Sequence, residues 1–201
     1  MSALDEPEDW RVFAPLPLDP VLTSAIAAFV STGYHGATMR SIAHGAAMSV
    51  PGTYNHYRSK QDLLVAILDM TMSELLVRVT AARDEGTTTP QRFALMVEAL
   101  ALFHTHRRDL AFIGASETRS LQPDNRHQIA ALRYRLEHMF DAEVDTAISE
   151  GRFTTPYAHT ATRAISTMCT SLPQWFRLDG PLKPEQVATE YALDLMRDRS
   201  T

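Results

Sequence analysis

Residues 19–64, DPVLTSAIAAFVSTGYHGATMRSIAHGAAMSVPGTYNHYRSKQDLL, alternate short stretches of helical apolar spacing with turn chemistry, at intervals that leave room only for three small helices and the start of a fourth. Leu22, Ala25, Ile26 and Phe29 repeat at three and four residues and form one apolar stripe. Gly33 stops that first helix. Thr38 precedes a second short periodic segment, Met39, Ile42, Ala43 and Ala46, and its hydroxyl can accept the orphan N–H groups that open a helix. Ala43, Ala46 and Ala47 are small enough to let two helices cross closely. Met48-Ser49 supplies a brief turn, and Pro51 has the fixed φ that suits a first helical turn. This is a helix-turn-helix pattern.

DNA binding needs a helix narrow enough for the major groove, phosphate donors on its flanks, and polar or methyl groups on its exposed face. Thr38, Tyr54, His56 and Lys60 can each donate to a phosphate oxygen. Ser49, Val50, Thr53 and Asn55 are left for base edges, Asn55 because its amide can pair with adenine and Thr53 because its methyl can touch thymine. Tyr57 is expected to fill the core between the helices. From Pro20 to Asp62 the charged residues are Arg40, Arg58, Lys60 and Asp62, a basic segment in a chain whose formal net charge is −5. That asymmetry places nucleic acid on one face.

On FVSTGYHGATMRSIAHGAAM, then YNHYRSK, then DLL, the chain resembles the N-terminal domain of TetR-type transcriptional repressors. In that family an aromatic residue and Gly-Tyr end the first helix, Thr opens the second, Tyr-x-His-aromatic lies on the recognition helix and Ser-Lys opens the fourth. The match covers about a quarter of the chain, with several landmarks in register. Where the family commonly has Gly followed by Ser or Thr, this chain has Pro51-Gly52, so a usual hydroxyl contact is absent. Those two residues join the DNA-facing set on the strength of the resemblance.

Beyond Asp62 the 3.6-residue period continues without strand alternation, giving an all-α chain: a helix-turn-helix domain over 19–64 and a larger helical ligand-binding and dimerisation domain over 65–201. Helices are expected at about 59–83, 90–106, 109–121, 125–151 (stopped by Gly151), 157–178 (bent at Pro173) and 184–197. Residues 1–18, with Pro7, Pro15 and Pro17, are read as a mobile arm. The longest apolar run, AIAAFV, is too short for a bilayer and the acidic N-terminus is unlike a secretory signal, which leads us to expect a cytoplasmic protein. Cys169 is alone and sits in an apolar pattern, an inert buried thiol.

LRYRLEHMFDAEVDTAISEGRF followed by LPQWFRLDGPLKPEQVATEY resembles the C-terminal domain of the repressors of actinobacterial steroid and cholesterol catabolism and their acyl-CoA-responsive relatives. The resemblance implies a homodimer joined by its last two helices, with Trp175, Tyr191 and Leu195 at or beside the interface. It also implies a double-stranded operator, and as inducer an acyl-CoA or another hydrophobic metabolite, with no cofactor. Phe103, His104, Phe112, Glu117, Met168, Trp175 and Phe176 supply the aromatic, soft and polar groups of a small-molecule site, and Arg133 can meet an anionic head group. A multidrug-sensing repressor of an efflux gene is the alternative within the same class. A helical hydrolase or metal enzyme is disfavoured. His104 and His106 point about 200° apart on a helix, and there is neither a G-x-S-x-G elbow nor a phosphate-cradling glycine loop.

Overall fold

A computed structural model describes residues 9–191. Among them lie nine α-helices: α1 (Pro20–Gly36), α2 (Met39–Gly45), α3 (Val50–His56), α4 (Lys60–Glu85), α5 (Thr89–His106), α6 (Arg108–Ser116), α7 (Pro123–Ser149), α8 (Ala158–Trp175) and α9 (Pro184–Thr189), with a 3-10 turn at Thr118–Ser120. No strand occurs among the described residues, as the periodicity predicts.

The helix boundaries follow local chemistry. The Asp19 carboxylate caps α1, Thr38 and Ser41 close a reciprocal capping box on α2, Ser49 caps α3 and Thr88 caps α5. At Gly33 φ is +70° and ψ 166°, which breaks the α1 ladder where the sequence stops it. Gly151, at φ +70°, ends α7 in a Schellman motif: its N–H donates to Ile148 O and that of Arg152 to Ala147 O. Pro173 lies inside α8, which continues two residues further to Trp175 before stopping. The sixth predicted helix is shorter than its period suggests, ending at Ser116 before the 3-10 turn. Of the ninth only the first turns are described, and Leu195 lies outside the described residues.

The chain forms two compact units whose boundaries differ from the expected breaks at 18/19 and 64/65. One unit holds residues 14–73 and 109–131, so the helix-turn-helix is packed with the first half of α4 and with α6 and the start of α7. Its core is Val21, Leu22, Ala25, Ile26 and Phe29 of α1, Ile42 and Ala43 of α2, and Leu63, Leu64, Ile67 and Leu68 of α4. The other unit holds residues 74–108, 132–191 and the segment 9–13. There α5 packs on α8 and α9, and Phe93 meets Phe140 and Phe153 edge-on at 5.9 and 5.7 Å. The segment 9–13 corrects the mobile-arm expectation: Trp10 is buried and ties to Glu85. Residues 1–8 lie outside the described part.

Candidate nucleic-acid interface and effector region

The turn between α2 and α3 is a second Schellman motif, with Ala47 in the left-handed region at φ +53°. Its N–H donates to His44 O, and Met48 N–H donates to Ala43 O at 2.9 Å. Close approach of α1 to α2 depends on Gly45, which stands outside the apolar spacing of α2. A Cβ at Gly45 would lie 2.4 Å from Ser24 Oγ, and that hydroxyl donates to Ile42 O at 2.8 Å. Ala43 is buried in the crossing, whereas Ala46 is only half-buried and Ala47 forms the turn.

On the far side of this corner, Arg40, Ser49, Pro51, Tyr54, Asn55, His56 and Arg58 are exposed and Val50 and Gly52 half-exposed. Neither α2 nor α3 contains an acidic residue. Thr38 is exposed at the α2 N-terminus, its hydroxyl accepting from Ser41 N–H at 3.0 Å. The side chains predicted to meet DNA thus share one corner, with two corrections. Thr53 is fully buried and its hydroxyl donates to Ser49 O, so its methyl packs inside and is not offered to a thymine. Lys60 is engaged: its Nζ donates to Tyr34 O at 2.5 Å and Ala37 O at 2.7 Å and lies 4.3 Å above the Tyr34 ring. Burial pushes this ammonium below its ordinary pKa, opposed by the charge of Glu117. Two of three donors are spent on the orphan carbonyls that end α1, which leaves at most one for a phosphate.

Other holding groups were not legible in advance. Tyr57, placed in the core by its pattern, also donates from its hydroxyl to Asp19 Oδ2 at 2.7 Å. Burial and that carboxylate push the phenol up to about 12. The buried Gln61 accepts from Gln122 N–H through Oε1 and donates from Nε2 to Tyr34 Oη at 3.3 Å. A polar residue at a core-facing helical position was the available signal.

The residues expected to meet an effector are divided between the two units. Phe103 and Phe176 are buried in the unit built on α5. His104 is buried there too, Nδ1 donating to Leu100 O at 2.7 Å, and desolvation lowers its pKa to about 4 with Arg133 acting in the same sense. Arg133 and Met168 are half-buried, and Trp175 is 48% exposed. Phe112 and Glu117 belong instead to the helix-turn-helix unit. There a Glu117 oxygen accepts from Ser120, and its other oxygen lies 3.3 Å from where a Cβ on Gly33 would be. Two open hollows occur in the α5 unit. One of about 440 Å³ is lined by Thr87, Thr88, Thr89, Arg92, Glu150 and Arg152. The other, about 500 Å³, is lined by Arg108, Gln174, Trp175, Arg177, Leu178 and Asp179. Only Trp175 of the predicted set borders either. Cys169 is buried and its thiol is pushed up to about 12 by desolvation. Among the described residues no group of His, Cys, Asp and Glu could hold a metal, and no helix is long and apolar enough to cross a membrane.

Residues 21–67 match the model of the tetR family of bacterial regulatory proteins, and residues 86–198 that of a tetracyclin repressor-like C-terminal domain. The HTH-type transcriptional activator FasR of Mycolicibacterium smegmatis is 37% identical over 86 residues, 43% of this chain but only 39% of that protein's length. The HTH-type transcriptional repressor KstR2 of Mycobacterium tuberculosis is 24% identical over 174 residues, 85% of this chain and 86% of that protein. The structure of that ketosteroid transcriptional regulator superposes with a TM-score of 0.80 at 23% identity, covering 88% and 92% of the two chains. AibR, solved with isovaleryl coenzyme A and operator DNA, superposes with a TM-score of 0.79 at 22% identity over 86% of this chain and 94% of its own.

Proposed function

Because the chain belongs to the TetR family of bacterial regulatory proteins, DNA-binding transcription regulators and not enzymes, we propose that it is a homodimeric repressor released from a pseudo-palindromic operator by a hydrophobic metabolite. An acyl-CoA or a steroid catabolite is the class of inducer. The observation that carries the DNA-binding part is the α2–α3 corner, whose exposed face holds Arg40, Tyr54, Asn55, His56 and Arg58 and no carboxylate. Two such corners related by a two-fold would enter successive major grooves about 34 Å apart. Tyr54, His56 and the arginines would bind phosphates, while Ser49 and Asn55 would read bases. The inducer class is supported by the similarity to KstR2, a ketosteroid transcriptional regulator, and to AibR, which was solved with isovaleryl coenzyme A.

Selection from a random duplex library should return an inverted repeat. Asn55→Ala should then relax preference at one base position by about 1–3 kcal/mol; equal loss on specific and random duplexes would move Asn55 to the phosphate class. Titrating operator-bound protein with isovaleryl-CoA, longer acyl-CoAs and steroid-derived CoA esters tests the inducer. A ligand of the right class must lower operator affinity and be bound more weakly in return when operator is present. No response to any of them removes this inducer class and leaves the DNA-binding reading standing.

A further inference from the structure

The segment before the first helix is anchored at both ends. Trp10 is 4% exposed, and its indole Nε1 donates to Glu85 Oε2 at 2.7 Å. The buried Arg78 guanidinium donates to the carbonyls of Trp10 at 2.7 Å and Val12 at 3.0 Å. It also lies 3.8 Å over the Phe13 ring, which stacks on His106 at 4.5 Å. Arg11 adds ion pairs to Glu85 and Glu98, which are partly exposed and contribute little alone. The anchor is the buried indole and the buried arginine. Both belong to the unit that holds most of the tetracyclin repressor-like C-terminal match.

Six residues after Phe13 the chain reaches Asp19. The stretch between carries Pro15 and Pro17, whose φ angles are fixed, and Leu18 N–H donates to Leu16 O at 2.9 Å, closing a three-residue turn around Pro17. Asp19 then does two things at once. Its Oδ1 accepts from the N–H groups of Val21 and Leu22, each at 2.9 Å, and its Oδ2 accepts from Tyr57 Oη at 2.7 Å. Tyr57 is the C-cap of α3, its N–H donating to Thr53 O. One carboxylate at the end of a stiff segment therefore joins the first turn of α1 to the last turn of the recognition helix.

We propose that residues 9–19 are a tether through which the C-terminal unit biases the recognition helix, with the Asp19–Tyr57 hydrogen bond as its point of action. This rests on the DNA-binding reading of α3. Asp19 and Tyr57 are positioning residues, since neither is among the groups offered to DNA. A covalent segment with two prolines restricts where its far end can go, and a segment free to rearrange would transmit nothing. The proposal gives the C-terminal unit a route to α3 that does not pass along α4.

The test uses the full chain and its selected operator. Pro15→Gly with Pro17→Gly changes two exposed positions, leaves both anchors intact and slackens the tether. Tyr57→Phe keeps the ring and removes the hydroxyl. Each should lower operator affinity about tenfold, the scale of one hydrogen bond to a charged acceptor, with the salt dependence unchanged because no phosphate donor is lost. The triple variant should bind no more weakly than either alone, since both changes interrupt one path. Losses that multiply to about a hundredfold, or a Tyr57→Phe variant with full affinity, overturn the tether. If the unaltered chain selects no DNA at all, the DNA-binding reading fails separately. Hydrogen exchange still decides the tether: the Val21 and Leu22 amides should lose protection in the Pro15/Pro17 variant, and unchanged exchange there overturns it.

Discussion

Helices α3 and α5 are held in place by opposite means. Helix α5 has 18 residues and buries eleven of them, among them Phe93, Met96, Val97, Leu100 and Phe103, and it packs on α8 and α9 with Phe93 meeting Phe140 of α7. Helix α3 has seven residues and buries one, Thr53. Seven residues cannot sustain a helix in water, and a helix that must show its face to a partner cannot gain stability by hiding it. What holds α3 is hydrogen bonding near its ends: Gly52 N–H donates to Ser49 Oγ at 3.1 Å, Thr53 Oγ1 to Ser49 O, and Tyr57 Oη to Asp19 Oδ2. The C-terminal unit can therefore trade one apolar side chain for another of similar volume at small cost. The helix-turn-helix needs particular residues at particular positions.

The sharpest exception within the packed unit is ionic. Glu74, buried, accepts from Arg78 Nε at 3.0 Å and Nη2 at 2.8 Å and from Arg107 Nε at 3.0 Å. Glu74→Ala would leave the buried Arg78 guanidinium without its carboxylate and should cost about 3–5 kcal/mol, read from urea unfolding. A loss below about 1 kcal/mol would show that packing alone sustains this unit and that these charges are hydrated.

Next in size is a pH effect confined to α5. His104 has a folded-state pKa lowered from 6.5 to about 4 by burial. The unfolded chain therefore binds the proton first. The contribution of His104 is complete above pH 6.5, is lost progressively as pH falls from 6.5 to about 4, and amounts over that window to an order of 3 kcal/mol. His104→Gln should flatten the stability profile between these limits. A profile identical to the unaltered protein's would mean that the imidazole is hydrated in the folded state.

In the helix-turn-helix the largest effect should come from Gly45→Ala. The new methyl would lie 2.4 Å from Ser24 Oγ, which would have to turn away from Ile42 O. Overpacking of this kind costs about 1–3 kcal/mol. Ser24→Ala in the same chain should recover part of it by clearing the clash. No recovery would place the strain elsewhere in the crossing.

The same contrast explains what could be read from the sequence. Thr38, Ser49 and Pro51 are capping residues whose chemistry acts within three positions of themselves, so α2 and α3 could be placed before any coordinates. Gly33 and Gly151 were legible as stops for the same reason. The two internal hydrogen bonds of Lys60 were not foreseeable because its partners, Tyr34 O and Ala37 O, are 26 and 23 residues away and are backbone atoms that carry no sequence signal. Thr53 was misassigned because its burial depends on which way a seven-residue helix is rolled. The division of the effector residues between two units was illegible for another reason. Aromatic residues at helical spacing describe any core, and nothing in Phe112 or Glu117 marks them as belonging to a different compact unit from Phe103. The segment 9–13 was read from the prolines on either side of it, Pro7, Pro15 and Pro17, while what holds it lies in Trp10 and in Arg78, 68 residues away.

The smallest prediction isolates the turn itself. Helices α7 and α2 end in the same Schellman geometry, α7 with Gly151 at φ +70° and α2 with Ala47 at φ +53°. The left-handed region costs an L-residue about 1–2 kcal/mol because Cβ crowds the following carbonyl, and glycine escapes that cost. Glycine also has more freedom to lose from the unfolded chain, a penalty of about 0.4–1 kcal/mol. Ala47→Gly should therefore stabilise the protein slightly, by about 0.5 kcal/mol, and Gly151→Ala should do the reverse by a similar amount. The two changes are read from the shift in urea midpoint at constant slope. If Ala47→Gly instead destabilises by about 1 kcal/mol, as in a helix interior, the α2–α3 corner is not closed by a left-handed residue. The recognition helix would then leave α2 at a different angle, and the alignment of Tyr54, Asn55 and His56 with a major groove would have to be redrawn.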